Sequence, residues 1–129
     1  MRVIVTGSRG WTDRSKIAFR LSMLIQTTPP EKLKDGLVIV VGYDPEARRP
    51  KGVDELAYQE AQKLGLDLDT YPAYWNDHGK RAGFIRNDDM AKAGAALCIA
   101  FWDGRSTGTL DMITRAVKHN IPVDVVMQT

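Results

Sequence analysis

Hydrophobic positions in this chain of 129 residues are grouped into five short apolar runs separated by longer mixed segments. The segments between the runs are long enough to be helices, as crossovers between parallel strands must be. Near-continuous apolar runs are typical of strands covered on both faces. The pattern therefore predicts an α/β fold with a mainly parallel sheet of about five strands. The runs are RVIV from Arg2, LVIVV from Leu37, LDLDTY from Leu66, ALCIA from Ala96 and IPVDVV from Ile121.

The third run differs from the others because polar and apolar residues alternate along it, which predicts an edge strand. Helical periodicity is clearest in two segments. In residues 52–65 the apolar positions share one face, Gly65 would end the helix, and Glu60 falls inside the apolar stripe without an explanation. In residues 108–120 we expect Leu110, Ile113, Ala116 and Val117 to form the buried face, with Asp111 and Arg115 paired on the opposite one.

Composition places the chain among ordinary globular domains, with 43% hydrophobic and 26% charged residues, and we expect a single domain over residues 1–129. The net charge of +2 comes from 18 basic and 16 acidic residues, so nucleic acid is an unlikely partner and membrane binding is not indicated. Cys98 lies in an apolar run and is interpreted as a packing residue. We expect a cytoplasmic protein, because no run approaches about 20 apolar residues and none resembles a signal peptide. We also expect no resident metal or cofactor.

Three glycine-containing loops follow predicted strands, at residues 6–11, 42–52 and 102–109. Loops after parallel strands meet at the carboxyl edge of a sheet, where open α/β folds bind ligands. The third loop combines bare backbone, hydroxyl groups and a helix start, a combination that favours an anion site. Ser106 or Thr109 could instead simply cap the helix. The loop matches neither a Walker A nor a G-x-G-x-x-G pattern. Its candidate ligand-binding residues are Gly104, Ser106, Thr107, Gly108 and Thr109.

Residues 71–90 concentrate aromatic and basic side chains. Arg86 and Asn87 are candidate ligands for a phosphate or carboxylate, while Tyr74 or Trp75 could stack on a base. A solvated basic helix is the alternative, and residues 47–51 are interpreted as a solvated loop. A homo-oligomer is possible, with Phe84 contributing to the contact face.

Several of these motifs together resemble the YspA-like, YpsA-related branch of the SLOG superfamily, to which DprA and the LOG phosphoribohydrolases also belong. The resemblance implies a Rossmann-like three-layer fold that binds a phosphorylated nucleotide or nucleotide-derived ligand at the carboxyl edge of the sheet. It implies that Gly7, Ser8, Arg9, Asp54, Arg86 and Asn87 line the pocket, and that Gly104, Ser106, Gly108 and Thr109 bind the phosphate. Small members of the branch occur in bacteria and their phages. The motifs are Thr6-Gly7-Ser8-Arg9 with Trp11; Gly52-Val53-Asp54 with Leu56-Ala57; Pro72, Trp75, Gly79-Lys80, Ala82-Gly83, Arg86-Asn87 and Met90; and Ala100-Phe101 with Gly104 and Gly108-Thr109.

The LOG enzymes carry the pattern P-G-G-x-G-T-x-x-E, whose glutamate helps to cleave an N-glycosidic bond. Met112 stands at that position here, and Asp111 lies one residue early, a rotation of about 100° on a helix. We therefore expect a protein that binds or senses its ligand without catalysing a reaction. The alternative is a LOG-like hydrolase of nucleoside monophosphates that uses Asp54 or Asp111 as its carboxylate and Arg86 to hold the phosphate. Kinship with DprA alone would suggest DNA binding, which the charge balance does not favour.

Overall fold

The computed structural model describes residues 1–43 and 52–128. Residues 47–51, interpreted above as a solvated loop, lie outside the described part. In chain order the elements are β1 (Arg2–Gly7), α1 (Arg14–Thr27), β2 (Val38–Val41), α2 (Val53–Lys63), β3 (Asp67–Thr70), α3 (Trp75–His78), α4 (Ala82–Ala93), β4 (Leu97–Trp102), α5 (Thr107–Lys118) and β5 (Val123–Met127), with short 3₁₀ turns at Pro30–Leu33 and Gly79–Arg81.

The five strands form one sheet in the order β3-β2-β1-β4-β5, and every neighbouring pair is parallel. This confirms the expected Rossmann-like α/β fold, and it confirms β3 as an edge strand. The chain builds outward from β1 to β3 and then returns to the other side of β1 with β4. The strand order therefore reverses between β1 and β4, and such a reversal opens a crevice at the carboxyl ends of these two strands.

Two helical layers cover the sheet. On one face α1 and α2 bury apolar residues against β1, β2 and β4, and the rings of Trp11 and Phe101 meet edge to face with their centroids 5.5 Å apart. On the other face α4 and α5 pack Met90 and Met112 against Ile4 and Cys98. Burial raises the pKa of the Cys98 thiol to about 12, which agrees with its interpretation as a packing residue.

Buried Glu60 is explained by its partners. Its carboxylate accepts hydrogen bonds from Arg14 Nη1 at 3.0 Å and Lys63 Nζ at 3.2 Å, so α1 and α2 are tied together by an ion-paired acid at the margin of the core. The hydrogen bonds from these two cations keep the pKa of Glu60 below its usual range even though burial alone raises it. Gly65, at φ +69°, follows the end of α2 as expected.

The predicted buried face of α5 was wrong at Leu110 and Val117, whereas the burial of Ala116 and the Asp111–Arg115 pair are confirmed. Thr109, Met112 and Ala116 form its buried face, whereas Leu110 and Val117 are 46% and 61% exposed. The reason is the contact with α4, since Arg115 bonds both Asp88 and Asp111 and so turns the polar flank of α5 toward α4. The apolar stripe then lies on the opposite flank of the helix. None of the helices in the described part of the chain has the length and apolar character to cross a membrane.

Candidate functional site

A cavity of about 560 Å³ opens at the carboxyl ends of β1 and β4, where the strand order reverses. Its volume falls within the range of small-molecule pockets. Four segments of the chain, the turn after β1, the start of α2, the first half of α4 and the turn after β4, contribute to the wall. The lining residues are Thr6, Gly7, Arg9, Gly10, Asp54, Gly83, Phe84, Arg86, Asn87, Asp103, Arg105, Ser106, Thr107, Gly108 and Thr109.

The floor of the cavity is organised by Ser8. Its backbone N–H donates to the Phe101 carbonyl at 3.1 Å, and its carbonyl accepts from the N–H groups of Trp11 at 3.2 Å and Val53 at 3.3 Å. Its buried hydroxyl oxygen accepts from the Asp103 N–H at 3.1 Å. Ser8 therefore joins β1, α2 and the turn after β4, and it does so from beneath the surface rather than as a lining residue.

Two glycines allow these segments to approach so closely. A Cβ on Gly7 would lie 2.5 Å from the Phe101 carbonyl oxygen, and one on Gly52 would lie 2.5 Å from Arg9 Cα and 2.6 Å from the Ser8 oxygen. Gly52 also has φ +77°, a conformation that favours glycine. We call Gly7, Ser8 and Gly52 the floor. Its glycines lie against the backbone of Phe101, Ser8 and Arg9 and, at Gly7, against the Val53 side chain as well, so it has little room for an added side chain.

The rim, residues 103–109, is shaped by side chains that take up backbone donors. Asp103 Oδ1 accepts from the N–H groups of Arg105 and Ser106, both at 2.8 Å, and these two bonds hold the pKa of Asp103 below its usual range. Ser106 caps α5 by accepting from the Thr109 N–H at 3.4 Å, and the Thr109 hydroxyl donates to the same oxygen. Ser106 thus serves as the helix cap that was one of its two sequence interpretations.

These bonds leave the N–H groups of Thr107 and Gly108 without a protein acceptor in the described part of the chain. Both residues stand in the first turn of a helix of 12 residues, where N–H groups have no intrahelical partner and carry partial positive charge. Both also line the cavity. The rim therefore directs two backbone donors and the positive end of α5 into the cavity.

Arg86 supplies a cation to the opposite wall. Its Nη1 donates to the Gly42 carbonyl at 3.0 Å, and its Nε is buried without a hydrogen-bond partner among the described residues. A Cβ on Gly42 would lie 2.8 Å from Arg86 Nε, so bare backbone at the end of β2 is what makes room for the guanidinium group. Arg9 and Arg105 also line the cavity, and the three arginines outnumber the carboxylates of Asp54 and Asp103.

Asp54, in the first turn of α2, is the cavity carboxylate whose pKa is raised. Burial raises its pKa to about 6, although the nearby charges of Arg86 and then Arg9 act to lower it. A carboxyl group with this pKa exchanges its proton near neutral pH, as a general acid or base must.

Asp111 does not line the cavity. Its Oδ2 accepts from Asn87 Nδ2 at 3.0 Å and from Arg115 Nε at 2.8 Å, so the carboxylate is engaged between α4 and α5. Asn87 Nδ2 also lies 3.3 Å from the Gly108 carbonyl oxygen. Buried Asn87 therefore joins α4 to the first turn of α5 while it contributes to the cavity wall.

The structure brings together nine of the eleven residues proposed from the sequence as ligand-binding, and the exceptions are Ser8 and Gly104. Gly104 has φ +82° and shapes the turn beside Met127. Tyr74 is exposed and is not among the described lining residues, and the side chain of Trp75 lies outside what the structure describes. Phe84, considered as an oligomer contact, is 43% exposed and lines the cavity.

The sequence reasoning missed six lining residues. Asp103 and Arg105 lie inside the loop that the sequence had singled out, and their position on either side of Gly104, directly after a strand, was the available signal. Thr6 and Gly83 were named as parts of the motifs that resemble the SLOG superfamily, but neither was proposed as a ligand-binding residue. The missed residues are Thr6, Gly10, Gly83, Phe84, Asp103 and Arg105.

Fold and site together define a Rossmann-like α/β protein with a cationic cavity at the switch point of its sheet. Neither a protein-family model nor a solved structure matches the chain. The chain is 36% identical over 127 residues to the Gene 61 protein of Mycobacterium phage D29, an alignment that covers 95% of this chain and 93% of that protein. The chain belongs to the same family as this phage protein. The relative agrees with the expected origin in bacteria or their phages.

Proposed function

We propose that the protein binds or senses a phosphorylated nucleotide or nucleotide-derived ligand in the cavity and does not transform it. The observation that carries this proposal is the pair of unoccupied N–H donors of Thr107 and Gly108 at the start of α5. Backbone donors at a helix start are the usual protein partners of a phosphate group. The resemblance to the SLOG superfamily supports a nucleotide as the rest of the ligand.

Charge in the cavity supports the same ligand class. Arg9, Arg86 and Arg105 surround the helix start, and guanidinium groups bind phosphate oxygens through paired N–H donors. Asp54 lies in the same wall and offers oxygen atoms suited to a sugar hydroxyl. A cavity of about 560 Å³ has room for a phosphate with a sugar and a base attached.

The first test is a thermal-shift panel of nucleoside 5′-monophosphates and ADP-ribose, each compared with the corresponding nucleoside without phosphate. A ligand that binds only the folded state raises the melting temperature by mass action. We expect at least one phosphorylated compound to do so and its dephosphorylated counterpart to have a much smaller effect. An unchanged melting temperature across the whole panel would contradict the proposal.

A sharper test removes one backbone donor. Thr107 is the first helical residue of α5 and follows Ser106 at ψ 118°, so Thr107→Pro fits the local backbone and deletes the N–H together with the side-chain hydroxyl. We expect affinity for the ligand to fall by roughly tenfold, about one charge-assisted hydrogen bond. The matched control is Thr107→Ala, which removes the hydroxyl and keeps the N–H. Equal binding by the two variants would argue against the helix start as the phosphate site.

The second candidate function is hydrolysis of an N-glycosidic bond, and the observation that favours it is the raised pKa of Asp54 beside Arg86. Asp111 is the weaker candidate because its carboxylate is engaged by Asn87 and Arg115 outside the cavity. Chromatography of the same nucleotide incubations separates the two functions. Base released by the natural protein and by Asp111→Asn, but not by Asp54→Asn, would establish the hydrolase and overturn the proposal of binding alone.

A further inference from the structure

Among the residues that the structure describes, strand β5 lies at an edge of the sheet and pairs with β4 alone. The Cys98 N–H donates to the Pro122 carbonyl at 2.8 Å, and the Gln128 N–H donates to the Trp102 carbonyl at 3.1 Å. Because bonds in a parallel ladder alternate along the strand, the even-numbered residues of β5 direct their backbone groups toward β4. The N–H and C=O groups of Val123, Val125 and Met127 therefore point away from the sheet.

Exposed apolar side chains are concentrated along this edge. Val125 and Met127 are exposed on the face of the sheet that carries α5. Leu110 and Val117 are exposed on the flank of α5 that is turned away from α4. On the other face of the sheet, Phe19 is 63% exposed. A group of exposed apolar side chains beside an open strand edge is typical of an interaction surface on a folded protein.

The opposite edge of the sheet is protected in the usual way. Strand β3 has the sequence DLDT, and charges on an edge strand discourage pairing with another chain. Strand β5 carries one carboxylate, Asp124, which forms an ion pair with Arg20 of α1. The two edges therefore differ in charge as well as in the apolar surface beside them.

We propose that β5 pairs in antiparallel orientation with β5 of a second copy of this chain, about a two-fold axis at Val125, to form a continuous sheet across a homodimer. In this register Val125 faces its own equivalent, Val123 faces Met127 of the second copy, and Asp124 faces Val126. Val123, Val125 and Met127 thus meet apolar residues, Asp124 meets Val126, and the two Asp124 carboxylates are not opposed. The outward N–H groups of all three odd-numbered residues find partners, and the Met127 carbonyl oxygen, which accepts from Lys16 Nζ at 3.4 Å in the single chain, meets the Val123 N–H of the second copy.

The symmetry of an antiparallel strand pair favours a second copy of this chain as the partner at the β5 edge. An antiparallel pair of identical strands buries the same patch on both subunits and closes after two copies. The same axis brings the apolar flank of each α5, with Leu110 and Val117, to the same side of the shared sheet. Side chains on both faces of the sheet then bury additional surface beyond the strand pair itself. The buried area per subunit thereby comes closer to the roughly 800 Å² per partner of a standard interface.

Sedimentation equilibrium of the purified protein, over about a hundredfold range of concentration, tests this proposal. We expect a reversible dimer, and we expect Val125→Lys to raise its dissociation constant at least about 100-fold, because two ammonium groups would meet on the axis. The matched control is Leu64→Lys, which changes an exposed apolar residue at the end of α2. A monomer at every concentration, or a Val125→Lys variant that dimerises as tightly as the natural protein, would overturn the proposal.

Amide hydrogen exchange on the unmodified protein provides a test that does not depend on any variant folding. Dimerisation should slow exchange at Val123, Val125 and Met127 by at least about tenfold, because their N–H groups become hydrogen-bonded. Asp124 and Val126 should change little, since their N–H groups already face β4. A dimer in which the three odd-numbered amides exchange as fast as in the monomer would overturn the strand pairing.

Discussion

The floor and the rim of the cavity differ in how much room their glycines leave. In the floor, Gly7 and Gly52 lie where any Cβ would collide with the backbone of a neighbouring segment. In the rim, a Cβ on Gly108 would have no heavy atom within 4 Å. The same residue type therefore serves close packing in one region and open access in the other. We expect substitutions in the floor to change stability, and substitutions in the rim to change ligand affinity.

The largest effect is expected for Gly52→Ala. The new Cβ would press on the backbone of Ser8 and Arg9, and the residue would keep a positive φ, so we expect the free energy of unfolding to fall by about 3 kcal/mol or more. Urea denaturation measures this loss. Gly10→Ala is the control, since its Cβ would meet nothing within 4 Å and the change should stay within about 0.5 kcal/mol. If both variants lost a similar free energy of unfolding, Gly52 in the floor would not differ from Gly10 in the packing that the backbone requires.

Arg86→Ala should weaken ligand binding and leave the packing of the floor unchanged. We expect the dissociation constant of the best nucleotide of the panel to rise about 30-fold, roughly 2 kcal/mol, because a charge-assisted contact to phosphate is lost. Calorimetric titration measures this change. Arg81→Ala is the control, because Arg81 is exposed and does not line the described cavity. Unchanged affinity in Arg86→Ala would remove this arginine from the binding site.

Asp54→Asn should stabilise the unliganded protein at neutral pH by about 1–2 kcal/mol. The folded protein holds the Asp54 proton more tightly than the unfolded chain does, so the free energy of unfolding falls as pH rises through the interval from the usual carboxyl pKa to about 6. The substitution removes this loss. Urea denaturation at pH 4 and pH 8 should therefore show a benefit at pH 8 alone. Equal effects at both values would mean that Asp54 titrates normally.

The smallest effect on stability is expected for Gly108→Ala. Alanine favours the helical backbone over glycine, so the free energy of unfolding should rise by about 0.5 kcal/mol. The added methyl group would project into the cavity beside the free N–H groups and should weaken nucleotide binding several-fold. In this variant the free energy of unfolding, measured by denaturation, should rise while the nucleotide affinity, measured by titration, should fall. A variant that is more stable and binds with full affinity would place the ligand away from α5.

The sequence was sufficient for the sheet because its apolar runs are separated by helix-length segments, and parallel strands then bring their following loops to one edge. For the same reason it placed Gly108 at that edge, whereas Arg86, on α4, was proposed from its charge beside Asn87 and from the resemblance to the SLOG superfamily. The rotation of α5 could not be predicted, because the ion pairs of Arg115 with Asp88 and Asp111 depend on how α4 lies beside α5. The role of Ser8 was also beyond reach, since its partners come from segments far apart in the chain.

The contact between Gly104 and Met127 links the two surfaces described above. A Cβ on Gly104 would lie 3.4 Å from Met127 Cε, so the turn that leads to the proposed phosphate donors lies beside the last residue of β5. A second copy packed on β5 and a nucleotide packed on the turn would share this wall. Thermodynamic linkage then requires reciprocity: whatever change in nucleotide affinity accompanies dimerisation, the nucleotide must change the dimer dissociation constant to match.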